Sequence, residues 1–230
     1  MSFDGFPKAG LDFLADLEVN NDRGWFEGHK DVYQSALLEP AVGFVSAVGE
    51  RLQSEISPNI VYDTKTNGSG SLMRIYRDVR FSKDKTPYHT YLSGLFWERP
   101  GKKNTRPGFG FRLRADGMDL IAGLFGFDKK GIELYRTAVL DDALGVELAE
   151  ILEGLVKGGR YSINGDQYKK VPQGYDEGHP RAALLKYKGL YVHPVPFGVD
   201  VLSSAEVVDE TMARFGEMAE LERWLVKVGL

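Results

Sequence analysis

The stretch "RIYRDVRFSKDKTPYHTYL", Arg74 to Leu92, gathers the side chains of this chain best suited to chemistry. Arg74, Arg77, Arg80, Lys83 and Lys85 crowd into it, interrupted by Asp78 and Asp84. Guanidinium groups form forked hydrogen bonds to phosphate or carboxylate, and lysine adds a movable point charge. On a strand end and its loop, these five side chains would hold one multiply charged anion. Asp78 and Asp84 would orient the arginines or supply a base, with Tyr88 as a third catalytic candidate. Phe81 and Tyr88 would cover an apolar part of the ligand. The plain reading of the same residues is a solvated network of ion pairs, in which Asp78 neutralises Arg74 and both rings are core anchors. A third reading makes the loop a basic, aromatic surface for a nucleic acid or a protein.

The third reading is the less favoured for a nucleic acid. The chain has 230 residues and a formal net charge of -4, which argues against general polyanion binding. From Asp200 to Arg223 there are seven acids, Asp200, Glu206, Asp209, Glu210, Glu217, Glu220 and Glu222. Near the loop they would repel a polyanion or neutralise the loop from within.

Other motifs fail on their context. "SKDK" matches S-x-x-K at Ser82 and Lys85, but neither S-D-N nor K-T-G follows. "NGSGS" lacks the G-K-[ST] ending of a phosphate-binding loop, and "GFGFRL" opens no helix. His29, His89, His179 and His193 show no metal-ligand spacing, and there is no cysteine. No metal and no cofactor is expected. His89 is the one histidine near the cationic loop, as a proton carrier or a solvated strand-edge residue. Trp25 and His29 share one side of a helix, and Lys186 and Lys188 lie among Tyr187 and Tyr191.

The elements that must position these groups are helical first. "FPKAGLDFLADLEVNN" and "RGWFEGHKDVYQSALL" read as two helices, and Pro40 opens a third with Val42, Val45, Val48, Leu52 and Ile56 as its stripe. After Pro58 the pattern becomes extended. The expected sheet contains Leu72–Arg77, Tyr91–Trp97, Gly110–Arg114 and Asp119–Gly126, the last two joined as a hairpin at Asp116-Gly117. Asp128 caps a helix, "DALGVELAEILEGLVK" forms another, and "YSINGDQYKKV" reads as a small hairpin around Asn164-Gly165. The end is helical, with a break near Gly216. Without a linker or repeat, residues 1–230 read as a single α+β domain. A mainly antiparallel central sheet is flanked by N-terminal and C-terminal helices. The start is no signal peptide and no apolar run approaches a membrane span, so a cytoplasmic location without membrane contact is expected.

"RDVRFSKDKTPY" resembles the signature of the DUF2461 family, with matches at Arg77, Asp78, Arg80, Phe81, Asp84, Lys85, Pro87 and Tyr88. "FLADLEVNNDRGWFEGHKDVY" and "VPQGYDEGHPRAALLKYKGL" are similar to it in the expected order, so the resemblance spans almost the entire chain. It implies one α+β domain and no particular activity, substrate or cofactor. It also implies a lysine where this chain has His89, which speaks against His89 as an essential base. The expected function is binding, or acting on, a small phosphate- or carboxylate-bearing ligand through the Arg74–Tyr88 segment.

Overall fold

The structure, a computed structural model, describes residues 3–230. Its first helices follow local signals. Pro7 precedes α1 (Lys8–Val19), which buries Gly10, Leu11, Phe13, Leu14 and Leu17 at helical spacing. Asp22 caps α2 (Arg23–Gly28), its carboxylate accepting from the Trp25 N–H at 3.0 Å. The chain restarts as α3 (Lys30–Val32), passes through a π-helical turn at Tyr33–Leu38 and continues as α4 (Glu39–Glu55). The interruption therefore falls at His29, and Pro40 begins no separate helix. Proline cannot bond back to the preceding turn and its ring crowds that turn; the wider π turn ahead of Pro40 makes room. α1 packs closely on this turn, for a Cβ built at Gly10 would lie 2.2 Å from the Ala36 carbonyl oxygen.

The strands are β1 (Ile60–Val61), β2 (Leu92–Glu98), β3 (Gly108–Leu113), β4 (Gly117–Leu124), β5 (Tyr161–Asn164), β6 (Leu190–Pro194) and β7 (Phe197–Gly198). They form one antiparallel sheet in the order β1-β2-β3-β4-β6-β5, with β7 also paired to β4. The class is α+β, as the sequence reads. β3 and β4 form the expected hairpin, but its turn falls one residue earlier, at Ala115-Asp116: Gly117 already belongs to β4, and the Arg114 N–H donates to its carbonyl at 2.8 Å.

Two expected strand features are corrected. Leu72–Arg77 is not a strand of the sheet; it carries only isolated bridges at Leu72 and Tyr76. Asn164-Gly165 does not turn a local hairpin. β5 pairs with β6, Tyr161 opposite Pro194 and Asn164 opposite Tyr191. Gly165, at φ +142°, passes so close to Gly189 that a Cβ would meet its carbonyl oxygen at 2.0 Å.

Asp128 caps α5 (Lys129–Leu140) through the Gly131 N–H at 2.7 Å, and Asp141 caps α6 (Asp142–Val156). A short α7 (Val199–Leu202) precedes α8 (Glu206–Lys227), which runs unbroken through Gly216. The expected break is absent because helical bonding on both sides outweighs one glycine's conformational cost.

By its contacts the chain gathers into two units. Residues 3–96, 110–120 and 196–213 form the first. Its core includes Phe6 and Phe111 packed on Phe44, with ring centroids 5.3 and 5.0 Å away. Trp97–Phe109, Ile121–Val195 and Arg214–Leu230 form the second. There Phe109 packs on Phe215 at 4.9 Å, and the Trp224 indole N–H donates to the Leu144 carbonyl at 2.9 Å. Arg181 caps the end of α5, donating to the Val139 carbonyl at 2.8 Å and the Asp141 carbonyl at 3.2 Å.

Candidate functional site

The segment that fails to become a strand lies in the first unit, and the failure shapes the candidate site. Leu72 bridges to Gly94 and Tyr76 bridges to Tyr88, both antiparallel. Residues 73–75 separate the bridges on one side and residues 89–93 on the other, so the ladder shifts register by two residues. Beyond the shift Pro87 accepts from the Arg77 N–H at 2.8 Å but has no N–H to return. Bulges of this kind bend the backbone and re-aim side chains. Here they open a depression of about 660 Å³, lined by Asn67, Gly68, Ser69, Met73, Arg74, Tyr76, His89, Tyr91 and Ser93.

No carboxylate lines it. Arg74 is exposed and donates through Nε to the Asn67 carbonyl at 2.6 Å, which fixes the stem and leaves both terminal nitrogens uncommitted among the described residues. Its stem lies across Gly68, at φ +84°, where a Cβ would sit 2.7 Å from Arg74 Cγ. Arg112, from β3, stacks its guanidinium over the Tyr91 ring at 4.5 Å, and Tyr91 contacts His89 at 4.8 Å. Burial first, and then the charges of Arg77 and Arg112, push the His89 imidazole below its ordinary value. His89 is thus held neutral near pH 7, one ring nitrogen donating and the other accepting.

The remaining cations are placed elsewhere. Arg77, 23% exposed, braces the loop from inside: it donates to Asp84 Oδ2 at 2.7 Å, to the Thr86 carbonyl at 3.0 Å and to the Thr86 hydroxyl. Arg80 forks onto Asp78, Nε to Oδ1 at 2.9 Å and a terminal nitrogen to Oδ2 at 2.7 Å. Lys85 donates to the Val79 carbonyl at 2.9 Å. Lys83 is exposed and makes no hydrogen bond or ion pair among the described residues. Two of the C-terminal acids have partners of their own: Asp209 pairs with Arg51, and Glu217 with Arg160 at 3.0 Å.

The three catalytic candidates are poorly placed for proton transfer. The Arg80 guanidinium holds the Asp78 carboxyl down at about 2, and the Thr86 N–H followed by Arg77 holds Asp84 at about 2. Carboxylates so stabilised are weak bases. Tyr88 is 3% exposed and stacks on Phe26 at 4.1 Å, a core anchor. Phe81, read with Tyr88 as a core anchor or a ligand cover, is no core anchor. It is 95% exposed at the loop tip, with the Arg80 guanidinium 5.9 Å from its centroid.

Trp25 and His29 stack at 4.2 Å, and Trp25 also contacts Phe13, so this pair is packing. Among the described residues no group of three or more His, Asp or Glu is placed to hold a metal, and no helix is long and apolar enough to cross a membrane. A larger cleft, about 870 Å³, lies in the second unit between α6 and α8. Its walls carry both signs of charge, and part of these pair with each other, Lys227 with Glu147 and Arg160 with Glu217. The smaller depression has the one-sided chemistry.

Arg74 and His89 stand out in the sequence; Asn67, Ser69, Tyr91 and Ser93, which line the same depression, and Arg112, which stacks on Tyr91, do not. "NGSGS" was the one available signal; nothing in "GFGFRLRAD" distinguishes Arg112 from any outward-facing strand residue.

The fold and site define an α+β protein with a cationic, carboxylate-free depression beside a braced loop. The chain belongs to the family described as "Conserved hypothetical protein (DUF2461)", whose model matches residues 9–224. No curated protein matches it.

Proposed function

We propose that this chain binds a small phosphate- or carboxylate-bearing ligand in the depression around Arg74 and His89. One observation carries the reading. Arg74 presents two uncommitted terminal nitrogens to a hollow with no carboxylate in its lining, and Arg112, outside the lining, stacks on Tyr91 of that lining. Unpaired guanidinium groups beside neutral donors favour an anion with several acceptor oxygens. His89, neutral, can donate to an oxygen or accept from a protonated one.

The ligand set is narrower than the five cations of the sequence. Arg77, Arg80 and Lys85 hold the loop together, and of the five it is Arg74 that lines the depression. The test is a phosphate titration followed by thermal shift and calorimetry. Arg74→Gln should weaken phosphate binding by about tenfold or more, the loss expected for a charge-assisted hydrogen bond. An Arg74→Gln protein that binds phosphate as the parent does would remove the reading.

Phe81 favours a second reading, an interaction surface at the loop tip, because a ring 95% exposed has no role in this chain's own packing. A Phe81→Ser protein with unchanged association behaviour and unchanged nucleic-acid retention would remove that one.

A further inference from the structure

The Arg74–His89 depression contains more than cations, and the rest of its lining limits what it takes. Met73, Tyr76 and Tyr91 give it apolar and aromatic walls. Tyr91 has one ring face under the Arg112 guanidinium at 4.5 Å. Tyr76 is different. Its ring is 51% exposed, yet it rests on two buried rings, Tyr88 at 5.2 Å and Phe26 at 5.9 Å, which themselves stack at 4.1 Å. Tyr76 is therefore a supported platform whose outward side faces water. The ladder shift that aims Arg74 into the hollow aims Tyr76 there too.

We infer that the ligand is an aromatic anion, a ring carrying a phosphate or carboxylate, with its charged group on Arg74 and its ring against Tyr76. This rests on the anion reading of the same depression. An inorganic anion would satisfy the guanidinium groups but leave the Tyr76 face and the Met73 wall in water. Covering them with a flat ring adds apolar burial and ring–ring contact with little ordering cost, because the platform is already held. Asn67, Ser69 and Ser93 supply neutral polar groups around the rim for substituents on such a ligand. Phe81 is not part of this site; it lies outside the lining of the depression.

Calorimetry with inorganic phosphate, phenyl phosphate, benzoate and adenosine monophosphate tests the inference on the full chain. Phenyl phosphate should bind on the order of tenfold more tightly than inorganic phosphate, the gain expected of one ring stacked on an aromatic side chain. Its ring protons should shift upfield in NMR on binding to the parent, a readout that needs no variant. Tyr76→Leu should erase the gain, so that this variant binds phenyl phosphate no more tightly than inorganic phosphate, and Tyr76→Phe should keep it. Arg74→Gln should weaken both compounds. Benzoate against phenyl phosphate reports which charged group is preferred, and adenosine monophosphate whether a larger ring system fits. If phosphate binds through Arg74 but phenyl phosphate binds no better, the aromatic inference is wrong and the anion reading stands. A gain that survives in Tyr76→Leu also overturns it. If none of the four compounds binds, both fall together.

Discussion

Asn21 closes both backbone hydrogen bonds of Tyr88, a residue 67 positions away. Its Nδ2 donates to the Tyr88 carbonyl at 3.0 Å, and its Oδ1 accepts the Tyr88 N–H at 3.1 Å. A side-chain amide thereby does what a neighbouring strand would do. It ties the residues just after α1 to the base of the cationic loop, where Pro87 interrupts the ladder. Asn21→Ala leaves both groups of a part-buried backbone unmet. Stability should fall by about 1–3 kcal/mol, two ordinary hydrogen bonds, read from urea unfolding. Asn21→Asp cannot donate to the carbonyl and should recover only part of the loss.

Arg80 and Arg74 should separate cleanly. Arg80 is forked onto Asp78 in open solvent, and both groups lie outside the depression. Arg80→Gln should leave the phosphate-dependent thermal shift and the melting temperature close to the parent's, because exposed pairs contribute little. Arg74→Gln should lose the shift with the melting temperature unchanged. A lost shift in Arg80→Gln would move the binding site to the loop tip.

Glu222 should make stability fall as pH rises. It is 0% exposed, and neither carboxylate oxygen has a hydrogen-bond partner among the described residues. Burial, and then the Glu98 charge, push its carboxyl from the ordinary 4.5 up to about 8 against the pull of Arg223 and Arg106. Across the window from about 4.5 to about 8 the folded chain keeps a proton that the unfolded chain releases. The contribution is full below 4.5, declines through the window and levels off above 8. Glu222→Gln, neutral at every pH, should flatten this part of the profile and be the more stable protein at pH 8. Chemical unfolding of both proteins from pH 4 to 9 checks it, and identical slopes would contradict it.

Gly216 lies exposed in the middle of α8, and a Cβ built there meets nothing within 4 Å. Gly216→Ala should stabilise the protein by about 0.5–1 kcal/mol through helix propensity alone. A rise of a few degrees in melting temperature would be the sign; a fall would mean that the glycine has a role beyond the helix.

Phe81→Ser should leave folding stability within about 0.5 kcal/mol, because the ring has almost no packing to lose. Calorimetric unfolding decides this. Tyr88→Ser, by contrast, removes a buried ring stacked on Phe26 and should cost several times more.

The sequence by itself determined whatever depends on neighbours along the chain. Asp22, Asp128 and Asp141 announce their helices because a cap bonds N–H groups two or three residues on. The β3–β4 hairpin is legible because Asp116-Gly117 marks a short break between two extended stretches, although the turn itself falls at Ala115-Asp116. The cationic segment was legible as a set of residue types, and its resemblance to the DUF2461 signature held over nearly the whole chain. Tertiary structure alone decided what those types do. Alternation in "LMRIYRDV" predicts a strand, but a two-residue register shift against residues 89–93 breaks it, and that shift depends on pairing across distance. Phe81 and Tyr88 carry the same apolar label in sequence, yet one is displayed and the other buried, because only Tyr88 meets Phe26 and Asn21. Charge counting cannot separate Arg74 from Arg77 and Arg80. Ion pairing does, through which carboxylates the loop's own turn brings within reach, and it leaves Arg74 facing the open depression.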